Sequence, residues 1–285
     1  GHPNIARALV ESALAEGVAR QRGETVAALL GGTFAPAVES NQCLFWSPDD
    51  VFDRHAERYV ADGYRKIKVR IAIGDFAHDL ARLGRLRARF GDTIEIAVDA
   101  NGSWGVAEAV EKLERLAPLG IAYVEQPTVP GDWAAFEAAL ATAPMPLMLD
   151  EGLAGPDDLA RLASIGPPAM AHLKVVKLGG PMAVMDAARV LHAASVPFMM
   201  GQMNEGALAT AMAVHCALAA GPRYAELYGC YGLEDDVGSG LTYENGCAVL
   251  AAAPGLGVEV DLSRCTLLWE EKAGSRVTGR RPRSS

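Results

Sequence analysis

The sequence predicts an α/β protein built around a parallel (β/α)7β barrel, and three observations indicate it. Half of the 285 residues are hydrophobic, which is enough for a substantial core. From Gln42 onward, short apolar runs typical of strands alternate with segments of helical periodicity. Three successive apolar runs end in an acid, at Asp99, Glu125 and Asp150, with spacings of 26 and 25 residues. That spacing is about the length of one βα unit of a barrel.

A helix and a linker precede the barrel. Residues 4–22 carry apolar side chains at helical spacing, and Gly23 stands where a C-terminal cap is expected. Residues 33–41 show no periodicity and are predicted to be a linker. We therefore place residues 1–40 outside the barrel.

Strands and helices then alternate in a regular order. The predicted strands are residues 42–46, 65–71, 94–98, 121–124, 147–149, 170–175, 196–200 and 224–227. The predicted helices are residues 48–62, 76–90, 106–117, 133–140, 156–164, 181–194 and 206–219. The first helix has a recognisable start, because Ser47 can cap it and Pro48 suits its first turn. Eight strands alternating with seven helices indicate a TIM-type barrel over residues 41–230.

The chain becomes irregular after the eighth strand. Residues 243–250 and 257–260 can form short strands that pack back on the amino-terminal segment, so we treat residues 231–270 as a C-terminal segment. Residues 276–285 are basic and polar without apolar periodicity. We predict a disordered tail over residues 271–285.

Composition excludes several classes of partner. The formal net charge of −9 argues against a nucleic-acid or anionic-membrane surface. The five cysteines are far apart and include no Cys-x-x-Cys pair, so neither a zinc site nor a redox pair is indicated. No uncharged apolar run reaches the roughly 18 residues that a membrane span needs, and no signal peptide is evident. We expect a cytoplasmic protein with free thiols and with no nucleic-acid or membrane partner.

The three strand-terminal acids predict a metal site. The carboxyl ends of parallel barrel strands meet at one rim, so Asp99, Glu125 and Asp150 can converge there. Clustered carboxylates repel one another unless a cation lies between them. Oxygen ligands favour Mg²⁺, with Mn²⁺ as the other candidate. Because Glu151 is adjacent to Asp150 and strand alternation separates them, only Asp150 is expected to bind the metal directly. Asn101 is expected beside the site. The alternative is that each acid caps a helix or forms a salt bridge.

Cationic residues are predicted on two opposite strands. Lys66, Lys68 and Arg70 alternate with apolar residues on strand two, so they share one face. Lys174 lies on strand six, across the barrel. A lysine that is partly desolvated and lies among other cations can have its pKa lowered to about 7–8 and then accept a proton, whereas an arginine stays protonated. Lys177 is expected in the following loop with a structural role.

Taken together, these motifs resemble the enolase superfamily, specifically its mandelate racemase and muconate lactonizing enzyme branch. The resemblance covers about residues 4–260 and rests on the order of its motifs. These are the helix before the barrel, the lysine motif of strand two, Asp99-Ala100-Asn101, Glu125-Gln126-Pro127, Asp150-Glu151, the Lys174 strand and Gly179-Gly180.

The resemblance implies Mg²⁺-dependent removal of the proton α to a carboxylate, with stabilisation of the resulting enediolate. It implies metal-binding roles for Asp99, Glu125 and Asp150 and an acid/base role for Lys174. It also implies a small carboxylate substrate and a homo-oligomer. Muconates, dipeptides, N-succinylamino acids, cyclic amino acids and sugar acids all remain open as substrates.

The strand-two motif departs from the family pattern of Lys-x-Lys, in which the second lysine is a base. Lys66-Ile67-Lys68 has the right letters, whereas Lys68-Val69-Arg70 has the usual distance to the first acid. We favour the second alignment. Arg70 then occupies a position at which it cannot act as a base, and chemistry through Lys174 alone is favoured over two-sided racemisation.

Two further departures concern strand seven and the amino terminus. Strand seven ends in Met199-Met200-Gly201-Gln202 rather than in the histidine of mandelate-racemase-like members, which favours the lysine-lysine branch. Gln202 and Glu205 join Asn101 and Glu151 as candidate substrate contacts or supports of the metal ligands. Of the α+β capping domain of the family, only the last helix is expected within residues 1–40.

Three functional hypotheses follow. The leading hypothesis is a Mg²⁺-dependent isomerase or lyase of cycloisomerase, dehydratase or epimerase type. The second is an aldolase-like barrel that uses Lys174 to form a Schiff base, since lysines on strand six can do so. The third is a vestigial, non-catalytic metal-binding barrel, which Arg70 and the missing cap would suggest.

Overall fold

The structure is a computed structural model that describes residues 3–267. Its helices are α1 Pro3–Arg22, α2 Val26–Leu29, α3 Asp49–Ala61, α4 Phe76–Phe90, α5 Val106–Leu116, α6 Trp133–Leu140, α7 Pro156–Ile165, α8 Val175–Leu178, α9 Pro181–Ala193 and α10 Ala207–Ala220. Its strands are β1 Ala37–Glu39, β2 Gln42–Leu44, β3 Lys66–Arg70, β4 Glu95–Asp99, β5 Ile121–Glu125, β6 Leu147–Leu149, β7 Ala169–Lys174, β8 Phe198–Gly201, β9 Tyr224–Ala225, β10 Gly238–Ser239, β11 Leu241–Glu244, β12 Cys247–Leu250 and β13 Glu259–Val260.

Strands β2 to β9 form one parallel eight-stranded sheet in sequence order. The two edges of this sheet meet where the Asn41 backbone N–H donates to the Ala225 carbonyl at 2.8 Å. The predicted barrel is therefore confirmed. Arg70 pairs with Asp99, and Asp99 pairs with Glu125. This register brings the carboxyl ends of β3, β4 and β5 to one level, as the position of a common site requires.

A layer of apolar side chains fills the inside of the barrel below that level. Its members are Ala97, Tyr123, Met148, Met170, Met199 and Tyr224, one from each of β4 to β9, and all are buried. The helices pack on the outer face of the sheet and form the larger core. Because strand side chains alternate between the two faces, the residue two positions after each member of the inner layer also points into the barrel.

The structure changes three details of the sequence prediction. The predicted linker contains β1, which pairs antiparallel with β12. The predicted strand at 243–250 is a hairpin of β11 and β12, because the left-handed Asn245 (φ 51°) and Gly246 (φ 74°) reverse the chain. Helix α3 is capped at Pro48 rather than Ser47, since the Pro48 carbonyl accepts the N–H groups of the first turn.

The segments outside the barrel meet each other and flank the site. The β1–β12 pairing joins the carboxy-terminal segment to the amino-terminal one, as the sequence suggested. Helix α1 packs on α8, and the Asn4 side-chain amide donates to the Lys177 carbonyl at 2.8 Å. The domain boundaries at 40, 230 and 270 stay predictions, and the predicted tail 271–285 lies outside the described residues. Within residues 3–267, no helix combines the length and apolarity that crossing a bilayer demands.

His215 on α10 connects three segments of the fold. Its Nδ1 accepts the Ala27 backbone N–H at 3.2 Å, and its Nε2 lies 3.1 Å from the Leu256 carbonyl. Burial lowers the pKa of His215 below its usual value. The imidazole is therefore held neutral between α2 and the carboxy-terminal segment.

This arrangement predicts a loss of stability in mild acid. Below pH 6.5 the unfolded chain protonates this histidine while the folded chain resists protonation, so the free energy of unfolding falls as pH drops. Between pH 7.5 and 5.5 the contribution is at most about 1.4 kcal/mol. Urea denaturation of the wild type and of His215→Gln at both pH values measures it. The wild type should lose more stability than the variant, and equal losses would contradict the prediction.

Candidate metal and proton-transfer site

A polar layer lies directly above the apolar layer of the barrel. On β4 to β9 it occupies the positions two residues after each apolar member, that is Asp99, Glu125, Asp150, His172, Gly201 and Glu226. Apart from the glycine, these side chains are all buried or nearly so. Strand alternation therefore collects four acids and one imidazole at the carboxyl end of the barrel.

The three acids that the sequence singled out all lie in this layer, but the closest cluster of possible ligand atoms contains Glu125 and Asp150 and not Asp99. An oxygen of Glu125, an oxygen of Asp150 and a nitrogen of His172 lie within 4.8 Å of one another. Lys68 Nζ lies 2.9 Å from Glu125 Oε2 and 3.9 Å from Asp99 Oδ2, so these two carboxylates border the same ammonium group. Burial and the Glu125 charge raise the pKa of Asp99 to about 8. The positive charge near Asp99 is therefore too small to offset the burial of its carboxylate and the repulsion by Glu125.

Of the three strand-two cations, two reach the site. Lys68 and Arg70 line the same pocket as Asp99 and Asp150. Lys66 lies at the opposite end of β3, where its Nζ contacts Glu39 at 2.6 Å. The pocket therefore contains the pair of the favoured alignment. The catalytic roles of both residues stay predictions.

Lys174 faces the pocket from β7, which is four strands away from β3 in the sheet. Its Nζ lies 2.6 Å from Asp150 Oδ2. Burial acts to lower the pKa of Lys174, but the charges of Asp150, Glu125 and Glu226 outweigh burial and raise it. The sequence predicts that partial desolvation and neighbouring cations lower this pKa. That expectation is wrong for the described structure, because the ammonium contacts a carboxylate directly.

Lys177 holds Asp150 from the other side. It lies in α8 rather than in a loop, and its Nζ contacts Asp150 Oδ1 at 2.7 Å, the Asp150 carbonyl at 2.7 Å and the His172 carbonyl at 2.6 Å. Burial lowers the pKa of Lys177. The side chain ties the end of β6 to β7, which agrees with the structural role expected for it.

Gln126 follows Glu125 at the end of β5, and its side-chain amide has a structural role. Its Oε1 accepts the backbone N–H groups of Asp150 and Gly152 at 3.0 and 2.9 Å, and its Nε2 donates to the Thr128 carbonyl. Both hydrogen bonds to Oε1 cross from β5 to the end of β6. The side chain therefore holds the backbone of Asp150 in place.

The candidate substrate contacts separate into two groups. Asn101, Glu151 and Gln202 line the pocket, and the Asn101 amide donates to Glu151 Oε1 at 3.0 Å. The side-chain amide of Gln202 is buried and has no partner within the described residues, so it is free to bind a ligand. Glu205 lies in a neighbouring apolar groove, where it accepts the Met203 N–H at 3.0 Å. Its expected substrate contact stays a prediction.

Two residues of the polar layer were not predicted from the sequence. Glu226 follows β9, and its Oε2 lies 2.6 Å from Lys68 Nζ and 3.2 Å from the Asn41 amide. His172 on β7 lies 2.8 Å from Glu125 Oε1 through its Nδ1. Signals for both existed, because Glu226 is a strand-terminal acid like the others and His172 is two residues before Lys174. Neither was singled out because neither belongs to a motif of the resemblance.

The pocket is small and highly charged. Its volume is about 290 Å³, and its charged lining consists of Lys68, Arg70, Asp99, Asp150, Glu151, Lys174, Lys177 and Glu226. The buried oxygen donors of Asp99, Glu125 and Asp150, together with the raised pKa of Asp99, fit a hard divalent cation. The chemistry available is metal-assisted binding of an anion, with a lysine on one wall and an arginine on the other.

Comparison with known proteins identifies relatives of this chain. Residues 51–264 match the family model described as enolase C-terminal domain-like. The chain is 29% identical over 259 residues to the L-Ala-D/L-Glu epimerase of Bacillus subtilis (strain 168), covering 89% of this chain and 70% of the relative. It is 28% identical over 265 residues to muconate cycloisomerase 1 of Pseudomonas putida, covering 91% and 70%.

The structural comparison agrees with the sequence comparison. The structure of the muconate lactonizing enzyme from Pseudomonas putida superposes with a TM-score of 0.87 at 26% identity. The match covers 93% of this chain and 74% of that one.

Proposed function

The chain belongs to the enolase C-terminal domain-like family, and from this premise we propose that it is a divalent-metal-dependent isomerase or lyase that removes the proton α to a carboxylate. The observation that carries the proposal is one pocket lined by Asp99 and Asp150, with Lys174 on one wall and Arg70 on the opposite wall. The third carboxylate, Glu125, is buried on the strand next to Asp99. Its relatives include an epimerase and a cycloisomerase, which supports the reaction class.

Asp99, Glu125 and Asp150 would hold the cation. Mg²⁺ suits these oxygen donors, and Mn²⁺ is the alternative. When bound, such an ion supplies a Lewis acid for the negative charge that develops on the substrate carboxylate. The neighbouring lysines restrict the orientation of two of these carboxylates, since Lys68 contacts Glu125 and Lys174 contacts Asp150.

Lys174 is the proposed base. Its Nζ reaches the pocket, and a neutral amine there can take a proton from a substrate carbon. The role needs Lys174 to give up a proton, which its contact with Asp150 opposes. Recruitment of Asp150 to a cation would weaken that opposition. The carboxylate therefore links cation binding to the proton-transfer step.

Arg70 makes the proposed chemistry one-sided. It lies on β3, across the barrel from Lys174, and arginine side chains do not act as bases in proteins. It can stabilise negative charge on the substrate but cannot accept the α-proton. We therefore favour reactions in which one face of the substrate carbon exchanges its proton, such as cycloisomerisation or dehydration, over free racemisation.

The test is α-proton exchange in deuterated water. The protein is incubated with Mg²⁺ and small carboxylates, supplied as separate enantiomers where they are chiral, and deuterium incorporation is followed by NMR. We expect exchange with one enantiomer of a substrate and its loss in EDTA. Exchange that persists in EDTA would contradict the metal requirement, and equal exchange of both enantiomers would contradict the one-sided assignment.

A parallel experiment separates the Schiff-base alternative. Borohydride treatment with keto acids traps a lysine that forms an imine, and mass spectrometry locates the adduct. We expect no adduct at Lys174, because its ammonium contacts a buried carboxylate. An adduct at Lys174 together with metal-independent turnover would favour the aldolase-like hypothesis. Absence of both exchange and trapping across the library would favour a non-catalytic barrel.

A further inference from the structure

We propose that His172 is a positioning residue that orients Glu125 for cation binding, and that Gly201 is a glycine because the imidazole occupies the space of its side chain. The inference rests on the proposed function in one respect, since it requires Glu125 to be a metal ligand. It goes beyond that function by assigning roles to two residues outside the motifs of the family.

The two oxygens of Glu125 have different partners. Oε1 lies 2.8 Å from His172 Nδ1, and Oε2 lies 2.9 Å from Lys68 Nζ. Glu125 and His172 are both fully buried, so water cannot replace either contact. A carboxylate only accepts hydrogen bonds, which means that His172 Nδ1 carries the hydrogen. The plane of the carboxylate is thus set from β7 on one side and from β3 on the other.

The position of the imidazole argues against direct metal binding. His172 is close enough to Glu125 and Asp150 to belong to a metal-binding triad. Its two ring nitrogens, however, are directed at other groups. Nδ1 is used by Glu125, and Nε2 points toward β8, where it has no partner within the described residues. Neither Glu125 nor His172 lines the pocket, so only the use of the two ring nitrogens separates a ligand from a supporting residue. It therefore acts through Glu125.

Gly201 supplies the space for the ring. A Cβ atom at this position would lie 2.0 Å from His172 Nε2 and 3.0 Å from two ring carbons. The backbone of Gly201 does not have a positive φ angle, so its conformation does not demand glycine. The need for a glycine comes from the imidazole. A side chain at residue 201 would push His172 away from Glu125.

The expected size of the effect follows from the general behaviour of residues that support metal ligands. Replacing such a residue commonly weakens metal binding by about 10- to 100-fold. His172→Leu removes the hydrogen-bond donor, whereas His172→Asn can place its amide nitrogen where Nδ1 stood. Asparagine also lacks the ring atoms that face β8. Gly201→Ala should therefore be harmful in the wild-type background and tolerated when it is combined with His172→Asn.

The experiment measures Mg²⁺ binding by calorimetry and Mn²⁺ binding by electron paramagnetic resonance in five proteins. These are the wild type, His172→Leu, His172→Asn, Gly201→Ala and the double variant His172→Asn/Gly201→Ala. We expect His172→Leu and Gly201→Ala to bind each ion about 10- to 100-fold more weakly. His172→Asn and the double variant should stay within about threefold of the wild type. Thermal unfolding in EDTA reports on the fold separately from the metal site.

Each outcome decides between the alternatives. Unchanged binding in His172→Leu, with binding retained in the wild type, would overturn the positioning role alone. Equal weakening in His172→Leu and His172→Asn would indicate that the imidazole is a ligand. If His172→Leu does not fold, recovery of binding from Gly201→Ala to the double variant still tests the proposal. A wild type that binds neither ion would overturn the proposed function and, with it, this inference.

Discussion

Replacing Lys174 with methionine is expected to slow α-proton exchange by about 10²- to 10⁴-fold, which is the usual contribution of a general base. Methionine keeps the length and apolar stem of the side chain but removes the amine that reaches the pocket. Asp150 retains Lys177 as a partner, so the metal site is expected to persist. The measurement is the exchange rate in deuterated water at saturating Mg²⁺, together with Mg²⁺ affinity.

Lys66→Met is the matched control for this prediction. Lys66 is also a strand lysine paired with an acid, but it contacts Glu39 at the far end of β3. Its loss should leave the exchange rate within about twofold of the wild type, as expected for a surface pair. If Lys174→Met exchanged as fast as this control, another group would have to be the base. A loss of Mg²⁺ binding in Lys174→Met would instead indicate damage to the metal site.

The barrel was predictable because its evidence is local. Each strand is a short apolar run, and some helix ends carry recognisable residues, such as Gly23, which follows α1 with a left-handed backbone. Predicted and observed bounds agree fully for 76–90 and 133–140. The β11–β12 hairpin was missed although Asn245-Gly246, which separates its two strands, is a strong sequence signal for a tight hairpin turn.

The position of the strand-terminal acids at one rim was predictable for a related reason. Residues that end successive parallel strands must meet at one rim, whatever the details of packing. The charge partners were not, because they depend on which side chains meet across the barrel. Lys68 contacts Glu226, whose position is 158 residues later in the chain, and His172 contacts Glu125. Spacing along the sequence carries no information about such pairs.

The direction of the Lys174 pKa shift could not be predicted from the sequence either. From the sequence, partial desolvation and repulsion between the cations of the barrel were expected to lower the pKa of a lysine. In the structure, burial has that direction, but a carboxylate 2.6 Å away reverses the balance. The sign of the shift thus depends on one contact between β6 and β7. The contact also gives Asp150 two roles, as a candidate metal ligand and as the counterion of the candidate base.

Asp150→Asn is therefore expected to have the largest effect on the metal site. Three features of the residue support this expectation: it is buried, it ends β6 beside Glu125, and two lysines contact it. The amide keeps the shape of the side chain but removes the negative charge that attracts a divalent cation. We expect Mg²⁺ binding at least 100-fold weaker than in the wild type, because loss of a direct ligand should exceed the roughly 10- to 100-fold cost of losing a supporting residue.

The same substitution should also destabilise the protein, which distinguishes it from a change on the surface. Lys174 and Lys177 would remain in the interior without the carboxylate that now lies 2.6 and 2.7 Å from them. Removing one partner of a buried ion pair commonly costs about 3–5 kcal/mol. Calorimetry with Mg²⁺ and urea denaturation in EDTA measure the two effects independently. Asp157→Asn, the same change at an exposed position of α7, is the control and should alter neither. Normal Mg²⁺ affinity in Asp150→Asn would remove this residue from the metal site, and unchanged stability would mean that the two lysines find other partners or lose their protons.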